Sequence, residues 1–145
     1  MNLIDTNAVQ HIQESGKNLD GVYYLAPDIE EEVAMTRILL RSAQSPNFLS
    51  IKSLPSFDEA AYINNYNIAL NKYSGRSFFN MTGFGDISIL ASLITLCEIP
   101  TGRQTSLFDE PEEIVVFTDD NSLIKKIRSD FTDKNVRVAS FSDIY

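Results

Sequence analysis

The chain has 145 residues, of which 43% are hydrophobic and 22% charged, with a formal net charge of −8 and a single cysteine. That length suits one domain, residues 1–145, able to bury a core without staples, and the composition excludes disorder. Cys97 alone excludes an intramolecular disulfide, no run approaches the roughly 18 apolar residues of a membrane span, and the opening MNLIDTNAVQHIQ lacks a secretory leader, so a soluble, cytoplasmic protein is expected.

Leu3-Ile4 is a short apolar run ending at Asp5-Thr6-Asn7, the pattern of a buried strand leaving into a turn or helix. Residues 8–15 are weakly helical and stop near Ser15-Gly16. Val22 to Leu25 forms a second extended piece before Ala26-Pro27. Pro27 suits a first helical turn, and Asp28, Glu30 and Glu31 favour the positive end of its dipole, so a helix is expected to about residue 42. Residues 47–51 alternate as a short strand. Ser56 with Glu59 makes a capping box for a helix over 57–73.

Residues 74–85, SGRSFFNMTGFG, form a glycine-rich loop of a length that is more often functional than decorative. Asp86 then opens ISILASLITLC, apolar nearly all round, the mark of a central buried helix. After a polar connection with Pro100, Gly102 and Pro111 comes Ile114-Val115-Val116-Phe117, the clearest buried strand. Thr118-Asp119-Asp120-Asn121-Ser122 turns into a helix through Arg128, and residues 136–138 close as a last strand. Strands alternating with helices predict an α/β fold: a three-layer α/β/α sandwich on a mostly parallel central sheet.

In an open parallel sheet the ligand site lies beyond the carboxyl ends of the strands. Asp5 follows the first strand, and Asp119 and Asp120 follow the 114–117 strand, so acids 115 positions apart can converge. Taken singly, Asp5, Asp86 and Asp120 also suit helix N-caps. Helix phase selects within Glu30-Glu31-Glu32. With Ile29 at zero, Val33, Thr36, Leu40 and Ala43 fall within about 40°, and Glu32 at about −60°, while Glu30 and Glu31 point about 100° and 160° away. Glu32 therefore lies on the apolar arc, where a carboxylate is costly unless paired or metal-bound. Asp86 opens a buried helix after Gly83-Phe84-Gly85, whose glycines would let a substrate backbone approach. Acids gathered this way repel one another, and Mg²⁺ or Mn²⁺ would relieve that strain. Two such ions would bring the net charge from −8 to −4.

Four segments in this order resemble the motifs of PIN-domain ribonucleases: LIDTNAV, an apolar strand then Asp-Thr-Asn; APDIEEEVAM, which places Ile29 and Glu32-Val33 on the second motif; GFGDISILASL; and VVFTDDNSL, matching Thr118, Asp120 and Leu123. Together they span nearly the whole chain. The resemblance implies a PIN-like fold and a metal-dependent endoribonuclease with Asp5, Glu32, Asp86 and Asp120 as catalytic metal ligands for one or two Mg²⁺ or Mn²⁺ ions. Thr6 and Asn7 would orient the first carboxylate or the attacking water, Thr118 the fourth carboxylate, and Asp119 would be an auxiliary acid or a turn residue. The implied partners are an RNA substrate, an antitoxin-type protein encoded separately, and a second copy of the chain.

Candidate phosphate contacts are Arg37 with Arg41, Arg76, and Lys125-Lys126-Arg128, while Phe78-Phe79-Asn80 and the tyrosines of residues 62–66 are candidates to stack on bases or to pack the core. His11, the only histidine, excludes a His-rich zinc site and reads as a helix-surface residue. Cys97 reads as a buried thiol, and no glycine-rich nucleotide loop occurs. The excess of acid over base argues against a surface that coats nucleic acid, because phosphate binding runs on Lys and Arg. It motivates a second reading, a PIN-like scaffold that binds a protein or RNA without cutting. A phosphotransfer receiver is set aside, since the adjacent acid pair it needs after the first strand is missing.

Overall fold

The computed structural model describes residues 1–16, 19–35, 47–73, 84–98 and 112–144. In chain order these form β1 (Asn2–Ile4), α1 (Thr6–Ser15), β2 (Tyr23–Leu25), α2 (Pro27–Met35), β3 (Phe48–Ser50), a 3₁₀ turn (Ile51–Ser53), α3 (Glu59–Tyr73), α4 (Gly85–Cys97), β4 (Ile114–Phe117), α5 (Asn121–Asp130), β5 (Val136–Ala139) and a final 3₁₀ turn (Phe141–Ile144). The expected extension of α2 to residue 42, the loop over 74–83, and the polar connection around Pro100, Gly102 and Pro111 lie outside the described residues.

The five strands make one sheet in the order β3-β2-β1-β4-β5. Every pairing is parallel, so the sheet is parallel throughout its described strands rather than mostly so. With helices packed on it, this is the α/β sandwich that alternating periods predict. Strand order reverses direction between β1 and β4, which makes that gap the switch point where such sheets open a crevice. β4 is buried along its whole length, and with Leu3, Ile4, Val9, Ile29, Leu90 and Leu123 it belongs to one continuous core.

Local chemistry sets the helix ends. Asp5 starts α1 by accepting a 2.7 Å bond from Ala8 N, which is why the helix begins at Thr6 instead of residue 8. Gly16 ends it in the left-handed conformation, φ 63°, the usual glycine stop. α3 departs from expectation. Ser56 lies in a turn closed by Phe57 N on Leu54 O, and Asp58 takes the cap, its Oδ1 accepting from Ala61 N at 3.1 Å. Phe57 is drawn into the core ahead of the helix, so the capping box does not form at Ser56.

α4 is buried at eleven of its thirteen positions. It is locked to α2 and α3 by a polar cluster: Asp28 N donates to Ser88 Oγ at 3.1 Å, Tyr62 Oη lies 2.8 Å from Ser88 Oγ, and Tyr66 Oη donates to Asp28 Oδ2 at 2.7 Å. Burial, together with the Asp28 charge, pushes the Tyr62 hydroxyl up to about 12, so it remains a donor. These two tyrosines pack between helices, the second of the two roles open to them in the sequence; Phe78-Phe79-Asn80 fall outside the described residues. Cys97 is half-buried rather than buried, and desolvation raises its thiol, so no reactive thiolate is favoured. His11 is exposed, with its ring 5.9 Å from that of Phe141.

Ser92, in the middle of α4, is fully buried and its hydroxyl has no hydrogen-bond partner among the described residues. A buried orphan hydroxyl costs about 1–3 kcal/mol, and alanine is the better helix former. Ser92→Ala is therefore expected to stabilise the protein by about 1 kcal/mol, read as a higher urea midpoint with an unchanged slope.

Candidate functional site

Register explains the first contact of the site. Ile4 pairs with Phe117 across β1 and β4, so the next residues, Asp5 and Thr118, emerge level with each other at the carboxyl end of the sheet. Neighbouring strands lie about 4.8 Å apart, a span that a threonine hydroxyl bridges to a carboxylate. Thr118 Oγ1 donates to Asp5 Oδ2 at 2.6 Å and accepts from Asp120 N at 3.1 Å. Asp120 then caps α5, its Oδ1 accepting from Ser122 N at 2.8 Å and Leu123 N at 3.0 Å.

A cleft of about 130 Å³ opens here, lined by Asp5, Thr6, Asn7, Ile29, Glu32, Gly85, Asp86 and Asp120. The four acids singled out in the sequence thus line one space, carried by β1, α2, α4 and the β4–α5 turn. Asp5 and Asp86 are only 5% and 8% exposed, Glu32 and Asp120 half-buried. Glu31 is exposed and Glu30 half-buried; neither lines the cleft. Asn7 lines it from an exposed position, whereas Asp119 is exposed and does not.

The two threonines hold carboxylates other than those expected. Thr6 Oγ1 donates to Glu32 Oε2 at 2.5 Å, so it orients the acid from α2 rather than Asp5. Thr118 holds the first carboxylate, Asp5, and only the backbone of the fourth. Both pairings cross between elements and follow from sheet register and helix docking. The glycine beside Asp86 also differs from expectation: at Gly85 the close approach is made by Ile29 and Glu32 of the same chain, which occupy the space assigned to a substrate backbone. Ile29 and Gly85 join the acids in the lining, Ile29 from the same helical face as Glu32.

Charge is poorly compensated in the cleft. Burial, and secondarily the neighbouring Asp120 and Asp119 charges, push Asp5 up to about 6 against the opposing hydrogen bonds from Thr118 and Ala8. No Lys, Arg or His lines the cleft among the described residues. Arg37, Arg41 and Arg76 lie outside the described residues. Lys125 and Arg128 are exposed, and Lys126 sits over the Tyr73 ring at 5.7 Å.

Four hard oxygen donors facing one space, with no cationic side chain among them, suit a Mg²⁺- or Mn²⁺-sized ion by donor chemistry. Among the described residues, however, no group of three or more His, Cys, Asp or Glu already stands so as to hold an ion. Lining a cleft and converging on a point are different demands. Asp5, Glu32 and Asp120 each accept hydrogen bonds from donors of the chain itself, and an ionised carboxylate so held keeps further lone pairs for a cation.

The chain matches no protein-family model, no curated protein and no solved structure. Its function is therefore argued from the cleft. No helix among the described residues is long and apolar enough to cross a membrane.

Two expectations follow from this geometry. Because the folded state holds a proton on Asp5 up to about pH 6 and the unfolded chain only to about 4, the favourable contribution is complete below pH 4. It is lost as pH rises through 6, and at pH 7.5 Asp5→Asn should be the more stable form by on the order of 1–3 kcal/mol. Urea midpoints at pH 4 and 7.5 measure the difference, and a less stable variant at pH 7.5 would contradict it. Thr118→Val, which strips a donor from buried Asp5 and an acceptor from Asp120 N, should cost about 1–3 kcal/mol in the same assay.

Proposed function

We propose that the protein is a Mg²⁺- or Mn²⁺-dependent endoribonuclease of the PIN type, hydrolysing RNA phosphodiesters at the cleft formed by Asp5, Glu32, Asp86 and Asp120. The observation that carries this reading is the shared lining: acids from positions 5, 32, 86 and 120 meet at the switch point of a parallel sheet.

Each side chain has a part. Asp5 is anchored by Ala8 N and Thr118 Oγ1 and would be a fixed ligand. Asp86 is rigid by its place in the first turn of a buried helix. Glu32 and Asp120 are half-buried and would complete the donor set. One or two bound ions would neutralise charge on the scissile phosphate and make water a nucleophile near neutral pH. Asn7, exposed at the rim, can donate to and accept from the sugar-phosphate or a base. A polyanion approaching four carboxylates is repelled unless cations intervene, which makes the metal requirement electrostatic as well as chemical.

A small-molecule enzyme fits less well. The cleft, about 130 Å³, is well below the roughly 300–1,000 Å³ of sites that enclose a small ligand, whereas a polymer need insert only one phosphate. A toxin restrained by an antitoxin-type protein, and a homodimer, are extensions of the same proposal.

A second reading has its own observation. Since no three acids stand ready to hold an ion among the described residues, a PIN-like scaffold that binds protein or RNA without cleavage is the alternative. The two separate cleanly in solution. The nuclease should raise its melting temperature with Mn²⁺ and cleave single-stranded RNA with Mg²⁺ or Mn²⁺ but not in a chelator. Asp86→Asn should lower the rate about 100-fold or more while remaining folded by circular dichroism. RNA binding that survives loss of the acids, with no thermal response to Mn²⁺, would establish the scaffold.

A further inference from the structure

Gly85 opens α4 and lines the acidic cleft. Its backbone does not call for glycine, since the positive-φ glycines among the described residues are Gly16 and Gly21, and alanine would serve a helix better. Space does call for it. A Cβ on Gly85 would stand 2.8 Å from Ile29 Cδ1, 3.0 Å from Glu32 Oε1 and 3.2 Å from Glu32 Oε2, all inside the 3.4 Å at which ordinary contact begins. Both oxygens of the Glu32 carboxylate thus stand against the glycine. From α1, Thr6 Oγ1 donates to Oε2 at 2.5 Å.

We propose that Gly85 is a positioning residue for Glu32: the absent side chain makes the slot through which this carboxylate enters the cleft, and Thr6 holds it there. The proposal deepens the nuclease reading and rests on it for its link to metal binding. Glu32 must cross from α2 toward Asp5, Asp86 and Asp120, and α4 stands at the edge of that path. A Cβ at position 85 forces Ile29 Cδ1 to shift and the Glu32 carboxylate to give by a few tenths of an ångström, which disturbs its place among the other acids. Ile29, one turn earlier on α2, makes the closest contact of all and supplies the rival explanation, that glycine is needed merely for core packing.

The test compares crystal structures and Mn²⁺ affinities, the latter by calorimetry, for the wild type, Gly85→Ala, and Gly85→Ala combined with either Glu32→Asp or Ile29→Val. Gly85→Ala should fold, lose the Thr6–Glu32 hydrogen bond and bind Mn²⁺ about 10- to 100-fold more weakly. The shorter Glu32→Asp should recover most of that affinity in the alanine background, while weakening binding in the wild-type background. Ile29→Val, which removes Cδ1, should not restore it. Glu32 found still bonded to Thr6 beside Ala at position 85, or full recovery through Ile29→Val, would overturn the proposal. If Gly85→Ala alone does not fold, the double variant with Ile29→Val is relieved of the tightest contact and carries the same crystallographic comparison. A wild type that binds no Mn²⁺ would count against the nuclease reading, while the position of Glu32 in the variant crystals would still decide the role of Gly85.

Discussion

Parallel pairing of β1 with β4, with Ile4 level with Phe117, is the constraint from which the site follows. It brings Asp5 and Thr118 side by side at the strand ends, although 113 positions separate them. The strand order reverses there, and Asp5 and Asp120 cap the helices that leave these two adjacent strands. Helix N-termini carry partial positive charge, which offsets some of the repulsion that two carboxylates would otherwise meet. Glu32 has no such support, since it sits in the second half of α2 and depends on Thr6. The fold thus holds its acids by three different means: caps for Asp5 and Asp120, burial on a rigid helix for Asp86, and a threonine with a glycine slot for Glu32.

Those means differ in how visible they are in a sequence. Strand-end acids are conspicuous because apolar runs such as Ile114 to Phe117 mark the strand, and the residue that follows must emerge at its carboxyl end. Glu32 was visible by helical phase, an intrinsic property of α2. Pairings between elements were not. Thr6 and Thr118 carry hydroxyls suited to orienting acids, but which carboxylate each one holds is set by strand register and helix docking, which no local pattern encodes. Gly85 was noticed for its freedom, yet its consequence is spatial and depends on Ile29 and Glu32 of a helix more than fifty residues earlier. Ser56 was passed over as a cap because Phe57 turns into the core first, a tertiary effect overriding a local motif. Tyr62 and Tyr66 looked ambiguous along the chain, and the hydroxyl cluster with Ser88 and Asp28 commits them to packing.

The cluster beneath the cleft bears on the site as well. Ser88 lies two residues beyond Asp86 and Asp28 four before Glu32, and the Asp28–Ser88 bond ties together the helices that carry those two acids. Their separation is therefore held in part by a half-buried polar contact outside the cleft lining. Buried networks of this kind are stiff when fully satisfied, and this one is extended by the two tyrosines. Helix docking and carboxylate spacing are in effect one variable, so disturbance of Tyr66 or Asp28 would be transmitted to Glu32 without touching the cleft lining.

Acidity is the feature that first argues against RNA and on closer inspection shapes how RNA would be engaged. With a net charge of −8, long-range attraction of a polyanion is weak, and nonspecific binding through many phosphate contacts is not available to this surface as it is to a basic one. Under the nuclease reading, productive engagement would require that cations occupy the cleft first, since among the described residues the charged lining is acidic throughout. Binding and catalysis would then share a single dependence on metal, and loss of the ions would remove affinity along with turnover. A scaffold would behave differently, because its contacts would lie away from the acids and be indifferent to their neutralisation. The distinction rests on whether binding is coupled to the same four carboxylates, so affinity measured with and without divalent ions separates the readings even where cleavage is too slow to follow.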